Sequence, residues 1–251
     1  MPPTPPDTQG MEKTLLCELH AHTTWSDGKL SLRELVDLYG RAGFDVLCVT
    51  DHVLRSDDPW RLPETCVHEA NFGSYLTAVD AEAERAQALY GLLVVPGLEL
   101  THNDPDPEAA AHAVAVGLRE YVSPDAGLVG SLLAAREAGA AVIAAHPHGP
   151  DSDPVPARTT RRFWREWAVL SPLVHRAELF NGTDVYSWIA GESVPAVGSG
   201  DVHAAEHLSS WKTLVPSAQD EEELVAFLRS EQPSYLIPFR AEPAVEPAAA
   251  A

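Results

Sequence analysis

From Leu15 to Pro238 the chain alternates short apolar runs with amphipathic stretches, and that rhythm limits the folds open to it. The runs are LLCEL (15–19), DVLCVT (45–50), LLVVPGLEL (92–100), HAVAVG (112–117), AVIAAH (141–146), RAELF (176–180), PAVGSG (195–200) and KTLVP (212–216). Several are apolar throughout, as strands covered on both faces of a parallel sheet are. Between the first two, SLRELVDLYGRAG opens on Ser31 with Glu34 three residues on, a capping-box pair. Leu32, Leu35, Val36 and Tyr39 then fall on one helical face. DEEELVAFLRS repeats the logic, with Asp220 as cap and Leu224, Phe227 and Leu228 inward, and residues 73–91 and 127–139 supply two more helices. Strand–helix alternation with seven or eight strands predicts an α/β fold closed, or nearly closed, into a barrel. Two long polar stretches containing proline, 53–70 and 149–161, read as functional covers or disordered loops.

One domain is expected over residues 14–240. The Pro-rich start (1–13) and the Pro/Ala-rich end (241–251) are expected to be disordered tails, too biased to pack. The start lacks the basic and apolar regions of a secretory signal, and no apolar run approaches the ~18 residues of a membrane span. Cys17, Cys48 and Cys66 show no C-x-x-C spacing, so a reducing cytoplasm is the expected location, with no membrane partner. Seventeen Lys and Arg against 37 Asp and Glu give a formal charge of −20, which opposes stable binding to duplex nucleic acid.

In an α/β barrel the chemistry sits at the carboxyl ends of the strands. Those ends carry His20 and His22, Asp51 and His52, Glu99 and His102, His146 and His148, Glu178, then Asp201 and His203, while His112 starts the fourth run. A lone buried histidine is usually a hydrogen-bonded core residue. Six strand ends that agree are another matter, because each desolvated, unpaired polar group costs roughly 1–3 kcal/mol. Bound metal removes that cost, and imidazole with carboxylate suits Zn, Mn or Fe. His20 and His22 point to one side of a strand, since side chains alternate. The SDG turn then presents Asp27 to a neighbouring ion, and Trp25 could wall the site.

The segments ELHAHTTWSDG, VTDH (49–52), GLEL (97–100) followed by HAVAVG, AAHPH (144–148), AELFN (177–181) and GSGDVH (198–203) resemble the PHP-domain (polymerase and histidinol phosphatase) metal-dependent phosphoesterases. They occur in that family's order across most of residues 15–205. The resemblance implies a distorted (β/α)7 TIM-like barrel holding two to three divalent ions. It implies that His20, His22, Glu99 and Asp201 bind a first ion. Glu99 would bridge to a second, held with His112 and His146, and Asp27, His52 and His203 would hold a third. Glu18, where the family usually has Asp, would support the ligands with Asp51, Glu178 and Asn181.

Three divalent ions against the carboxylates of Asp27, Glu99 and Asp201 would leave a positive excess that attracts hydroxide and phosphate. The expected reaction is in-line attack of a metal-bound hydroxide on a phosphate ester at a multinuclear, trinuclear site. Asp201 takes part as a ligand, and His203 or His148 could protonate the leaving alkoxide. Phosphate could be gripped by Arg158 or Arg161 in the basic cluster that includes Arg162 and Arg165, or by Arg119 or Lys212. The cluster reads equally as a solvated helix start. Trp60, Trp164, Trp188 and Trp211 could stack on a base or sugar, though core packing explains most of them. His102 reads as metal-adjacent, substrate-contacting or loop, and His68, His175 and His207 as outside the site. A small phosphorylated molecule, nucleotides included, is the expected partner of a phosphatase or phosphodiesterase. The alternatives are a nuclease on short single strands or nucleotide ends, a histidinol-phosphate phosphatase, and an amidohydrolase-type C–N hydrolase. The last usually needs a strand-end lysine that no predicted strand provides.

Overall fold

A computed structural model describes residues 14–58, 60–61, 65–152 and 159–241. The two expected tails (apart from Ala241) and Arg158 lie outside the described residues. All eight apolar runs are strands: β1 (Thr14–Glu18), β2 (Val46–Val49), β4 (Leu93–His102), β5 (Ala111–Val116), β6 (Ala141–Ala145), β7 (Arg176–Asn181), β9 (Ala196–Ser199) and β10 (Trp211–Pro216). Three short strands join them, β3 (His52–Leu54), β8 (Asp184–Val185) and β11 (Tyr235–Pro238). The sheet runs β11-β10-β1-β2-β4-β5-β6-β7-β8, with β3 added to β4 and β9 to β7. The helices are α1 (Leu32–Arg41), α2 (Glu69–Tyr90), α3 (Gly127–Glu137), the short α4 (Arg162–Arg165) and α5 (Trp167–Leu170), and α6 (Glu221–Arg229). At α1 the capping box forms as the spacing predicts: Glu34 N–H donates to Ser31 Oγ (3.3 Å) and Ser31 N–H to Glu34 Oε2 (2.9 Å).

The result is a mixed α/β fold whose curled sheet is consistent with a distorted barrel. Its distortion has a local cause. The pairs β1/β2, β2/β4, β6/β7 and β7/β9 are parallel, but β5 runs antiparallel to both β4 and β6. Only residues 103–110 separate β4 from β5. That is shorter than the dozen or so residues a parallel crossover requires, so the chain turns straight back. The reversal explains the position of His112. Thr101 pairs with His112 and His102 with Ala111, which carries the first residues of β5 to the carboxyl end of β4.

Both faces of the sheet are covered. One packs Cys17, Val46, Cys48, Val95, Val114, Val116, Ile143, Val197 and Val215 against Leu224, Phe227 and Leu228 of α6. The other packs against Leu35, Val36 and Tyr39 of α1, Tyr75 and Val79 of α2, and Leu128 and Leu132 of α3. The sheet closes in two ways. Near the site, Ala21 bridges Val202, with His22 N–H to Val202 O (2.9 Å) and Val202 N–H to His20 O (3.1 Å). Farther down, β10 lies beside β9, where Thr213 Oγ1 donates to Gly198 O (2.7 Å) and accepts from Gly198 N–H (2.9 Å). No described helix is long and apolar enough to cross a membrane.

Candidate metal centre

Three groups of side chains at one end of the sheet place their potential ligand atoms within 4.8 Å of one another: His20, His22 and Asp201; Glu99, His112 and His146; and His22, Asp27, His52 and His203. Glu99 lies between them. Its Oε2 is 3.4 Å from His20 Nε2, 3.5 Å from His22 Nε2 and 2.7 Å from His52 Nδ1, and its Oε1 is 3.2 Å from both His112 Nδ1 and His146 Nε2. Asp201 Oδ1 is 3.3 Å from His22 Nε2 and 3.5 Å from His20 Nε2. Asp27 Oδ1 is 3.3 Å from His203 Nε2 and 3.5 Å from His52 Nε2. Exposure is graded across the cluster: Glu99 and His20 are sealed, whereas the Asp27 side chain is half exposed.

Most of these imidazoles present one nitrogen to the protein and the other to the carboxylates, the arrangement that fixes a metal-binding tautomer. His20 Nδ1 pairs with Glu178 Oε1 (2.9 Å), His112 Nε2 with Asn103 Oδ1 (2.9 Å), and His146 Nδ1 with Thr160 Oγ1 (3.2 Å). His203 Nδ1 donates to its neighbour Asp201 O (3.0 Å). His52 Nδ1 differs in meeting both Thr101 Oγ1 and Glu99 (2.7 Å each). What remains points to a missing partner. His20 Nε2 and His22 Nε2 are buried, have no hydrogen-bond partner, and converge on Glu99 Oε2. A divalent cation fits that gap in charge and in donor type.

Electrostatics agrees. Burial alone would raise the pKa of Glu99, yet His52, His20 and His112 hold it well below the usual carboxylate range. Asp201 is treated the same way by His20, His22 and His146, and Asp27 by His203 and His52. Burial lowers His20, but Asp201, Glu99 and Glu178 outweigh it and hold its pKa up. His22 goes the other way, pushed down to about 3 by burial and by the nearby His52 and His203. The cluster thus holds ionised carboxylates among imidazoles that compete for few protons, and cations replacing those protons relieve the competition.

Backbone strain coincides with the cluster. His146 (φ 28°) and Asp201 (φ 47°) have positive φ, a region that costs an L side chain of order 1–3 kcal/mol. Neighbouring contacts hold both residues there. Glu178 Oε2 accepts from His146 N–H (2.5 Å), and Glu18 Oε1 accepts from Gly200 N–H (2.8 Å) beside Asp201. A Cβ at Gly200 would fall 2.5 Å from Glu18 Oε2, so only glycine fits this approach.

The residues expected to support the ligands divide by location. Asp51 accepts from Thr23 N–H, Thr23 Oγ1 and Ser26 Oγ (2.8, 2.9 and 2.6 Å), shaping the loop after β1. Glu178 holds His20, His146, Ser199 and Asn181 together. Glu18 meets the ligands through backbone, accepting from His20 N–H (3.1 Å) and Gly200 N–H (2.8 Å), and is itself met by Tyr39 and Lys212.

Of the expected phosphate grips, the described ones are engaged by other partners. Lys212 is fully buried and donates to Glu18 Oε2 (2.5 Å) and Ser210 Oγ (2.6 Å). Arg119 follows the antiparallel β5, so it emerges at the opposite end of the sheet, paired with Glu221 and Asp80. Arg161 is tied to Glu108 and to Ser152 O, and Arg162 and Arg165 both reach Glu166. Trp25 packs edge-on against Tyr75 (centroids 5.6 Å apart) and belongs to the core rather than to a pocket wall. His102 is buried, with Nε2 unpartnered and its pKa pushed down to about 3 by burial and by His112.

A cleft of about 670 Å³ opens over the cluster, lined beyond the candidate ligands by His148, Thr159, Asn181, Asp184, Tyr186 and His207. His148, expected at the site, is there. His207, read as outside it, accepts the His203 N–H at Nδ1 (3.2 Å) and faces the cleft. Its spacing of four from His203, across a single 3₁₀ turn (Ala205–Leu208), is the signal that could have found it.

Neither a family model nor a curated protein matches the sequence. Among solved structures, the fold is similar to that of a two-domain protein from Bacteroides vulgatus described as containing a "predicted PHP-like metal-dependent phosphoesterase" (TM-score 0.65, 18% identity, 90% of this chain). The present chain spans 65% of that protein's length. It is also similar to an amidohydrolase from Chromobacterium violaceum, solved with bound sulfate and no metal (TM-score 0.50, 16% identity, 75% of this chain and 87% of that one). At these identities the likeness is one of fold.

Proposed function

We propose that this chain is a metal-dependent phosphoesterase of the PHP type, hydrolysing the phosphate esters of small molecules at a multinuclear, trinuclear centre. The observation that carries this reading is the convergence of His20 Nε2 and His22 Nε2, buried and unpartnered, on Glu99 Oε2 amid three groups of potential ligands. His20, His22, Glu99 and Asp201 would hold one ion, Glu99, His112 and His146 a second, and Asp27, His52 and His203 a third. Divalent ions there would lower the pKa of a water toward neutrality and offset charge on phosphoryl oxygens. Glu178 fixes the His20 imidazole and the His146 backbone, and the sealed wall around Glu99 keeps bulk water from competing.

His148 stands over the cleft as a neutral donor. Its Nδ1 meets both Thr160 N–H (3.3 Å) and Thr160 Oγ1 (3.2 Å), and the N–H contact favours the tautomer with the proton of the neutral ring on Nε2. Burial and the adjacent His146 push its pKa down to about 4, so at neutral pH it offers an uncharged N–H to a phosphoryl or leaving oxygen. C–N hydrolysis of the amidohydrolase type finds less support: of the described lysines, Lys212 is held by Glu18 and Lys29 lies beside Glu206 at the surface. The proposed working unit is the single domain 14–240, acting in a reducing cytoplasm on a phosphorylated metabolite or nucleotide rather than on a duplex. The test is metal analysis of purified protein together with hydrolysis of an aryl phosphate. More than one equivalent of Zn, Mn or Fe per chain is expected, with activity lost in Asp201→Ala. At most one equivalent, or activity surviving that change, overturns the reading.

A further inference from the structure

The candidate centre is open on two sides. The larger opening is the polar cleft already described. The second is a recess of about 220 Å³ whose remaining lining is Leu54, Trp60, Thr65, Thr101 and Asn103. Asp27, His52 and His112 border both openings, so a phosphorus atom above them faces two spaces at once. The two spaces differ in chemistry. The cleft offers imidazoles, hydroxyls, an amide and the exposed carboxylate of Asp184. In the recess, Thr101 Oγ1 is engaged by His52 (2.7 Å) and Asn103 Oδ1 by His112 (2.9 Å), and among the described residues no charged side chain lines it beyond Asp27 and the candidate histidines. The Leu54 side chain and the Trp60 indole supply its apolar surface. Trp60 is 40% exposed and stacks on no other aromatic among the described residues, and its backbone is pinned by Asp58 Oδ1 (2.8 Å).

A monoester has one carbon-bearing arm and would leave one of these spaces unused. A diester has two, and a recess of this volume accommodates a ring-sized group rather than a whole ligand. Resting on the phosphoesterase reading, we propose that the substrate is a phosphodiester, whose planar or apolar alcohol arm lies in the Leu54–Trp60 recess while its polar arm lies in the cleft. In the hydrolysis, a water oxygen forms the new bond to phosphorus and one P–O ester bond breaks. The departing alkoxide takes up a proton, so the products are a monoester and an alcohol.

The test uses the full chain loaded separately with Mn, Zn or Fe, assayed on bis(p-nitrophenyl) phosphate and on p-nitrophenyl phosphate. The diester should be preferred in kcat/KM. Trp60→Ala should lower kcat/KM for the diester by about tenfold or more, mainly through KM, with Trp60→Phe restoring most of the loss. Calorimetric titration with diphenyl phosphate gives a readout independent of turnover and should show the same loss of affinity. A preference for the monoester, or a diester rate indifferent to Trp60→Ala, overturns the diester assignment and leaves the phosphoesterase reading intact. Failure of the wild type to hydrolyse either ester with any of the metals overturns both.

Discussion

Two glutamates, Glu18 and Glu99, are equally sealed from solvent yet differ in how their charge is met. Glu18 is complete within the protein. Its Oε1 accepts from the N–H groups of Leu19, His20 and Gly200, and its Oε2 from Tyr39 and Lys212. Glu99 is surrounded by imidazoles that also compete for its neighbours Asp201 and Asp27, and beyond His52 its Oε2 faces the unpartnered Nε2 atoms of His20 and His22. A buried carboxylate with five donors is part of the framework. One with converging, unsatisfied neighbours is half of an interaction whose other half comes from outside the chain.

The largest effect should come from breaking the complete network. Glu18→Ala strands the Lys212 ammonium and should cost about 3–5 kcal/mol of stability, read from the midpoint of urea unfolding. Glu18→Gln combined with Lys212→Met should recover much of that loss. If Glu18→Ala proves harmless, the contrast with Glu99 collapses. Glu99→Gln should behave in the opposite way. Aryl phosphate hydrolysis should fall by more than about 100-fold, while the metal-free variant unfolds close to the metal-free wild type. Chelation sharpens the same point. It should lower the Tm of the wild type, by the equivalent of about 2.7 kcal/mol if ions had been present at a hundred times their Kd, and should lower that of Glu99→Gln much less.

The smallest effect concerns a histidine far from the centre. His175 Nδ1 accepts the Val142 N–H (2.9 Å), and burial together with Arg136, Arg229 and Arg176 pushes its pKa down to about 4. The unfolded chain then binds the extra proton more readily than the folded one. His175 therefore contributes stability above about pH 6.5 that is lost as pH falls toward 4. His175→Gln should flatten that part of the stability–pH curve by an amount on the order of 1 kcal/mol. A curve that keeps its slope would assign the pH dependence to other groups.

The strands were legible because burial on both faces leaves long Val, Leu and Ile runs, and α1 because its cap is written in Ser31 and Glu34. The gathering of His20, His22, Glu99 and Asp201 at one end follows from the same strand ends, since a barrel-like sheet brings them together. The direction of β5 was less legible. It depends on the shortness of the 103–110 connection, and it sends Arg119 away from the end that His112 joins. Lys212 misled for a different reason: its charge answers Glu18, a pairing 194 residues apart that no local pattern records. Thr101, Asn103 and Thr160 escaped notice because short polar side chains that orient histidines look like any others in a sequence.

The bridge between Ala21 and Val202 has a consequence for how the chain is held together. His20 and His22 approach from the β1 side of that join and Asp201 from the β9 side, so an ion shared by them would tie positions 20 and 201 into one covalent-like ring. Such a ring restricts the unfolded chain as a disulfide does, and a closure over roughly 180 residues is worth about 5 kcal/mol in the entropic account. Cys17, Cys48 and Cys66 are buried and form no disulfide. The cross-link this architecture provides is one that a chelator, and not a reductant, undoes.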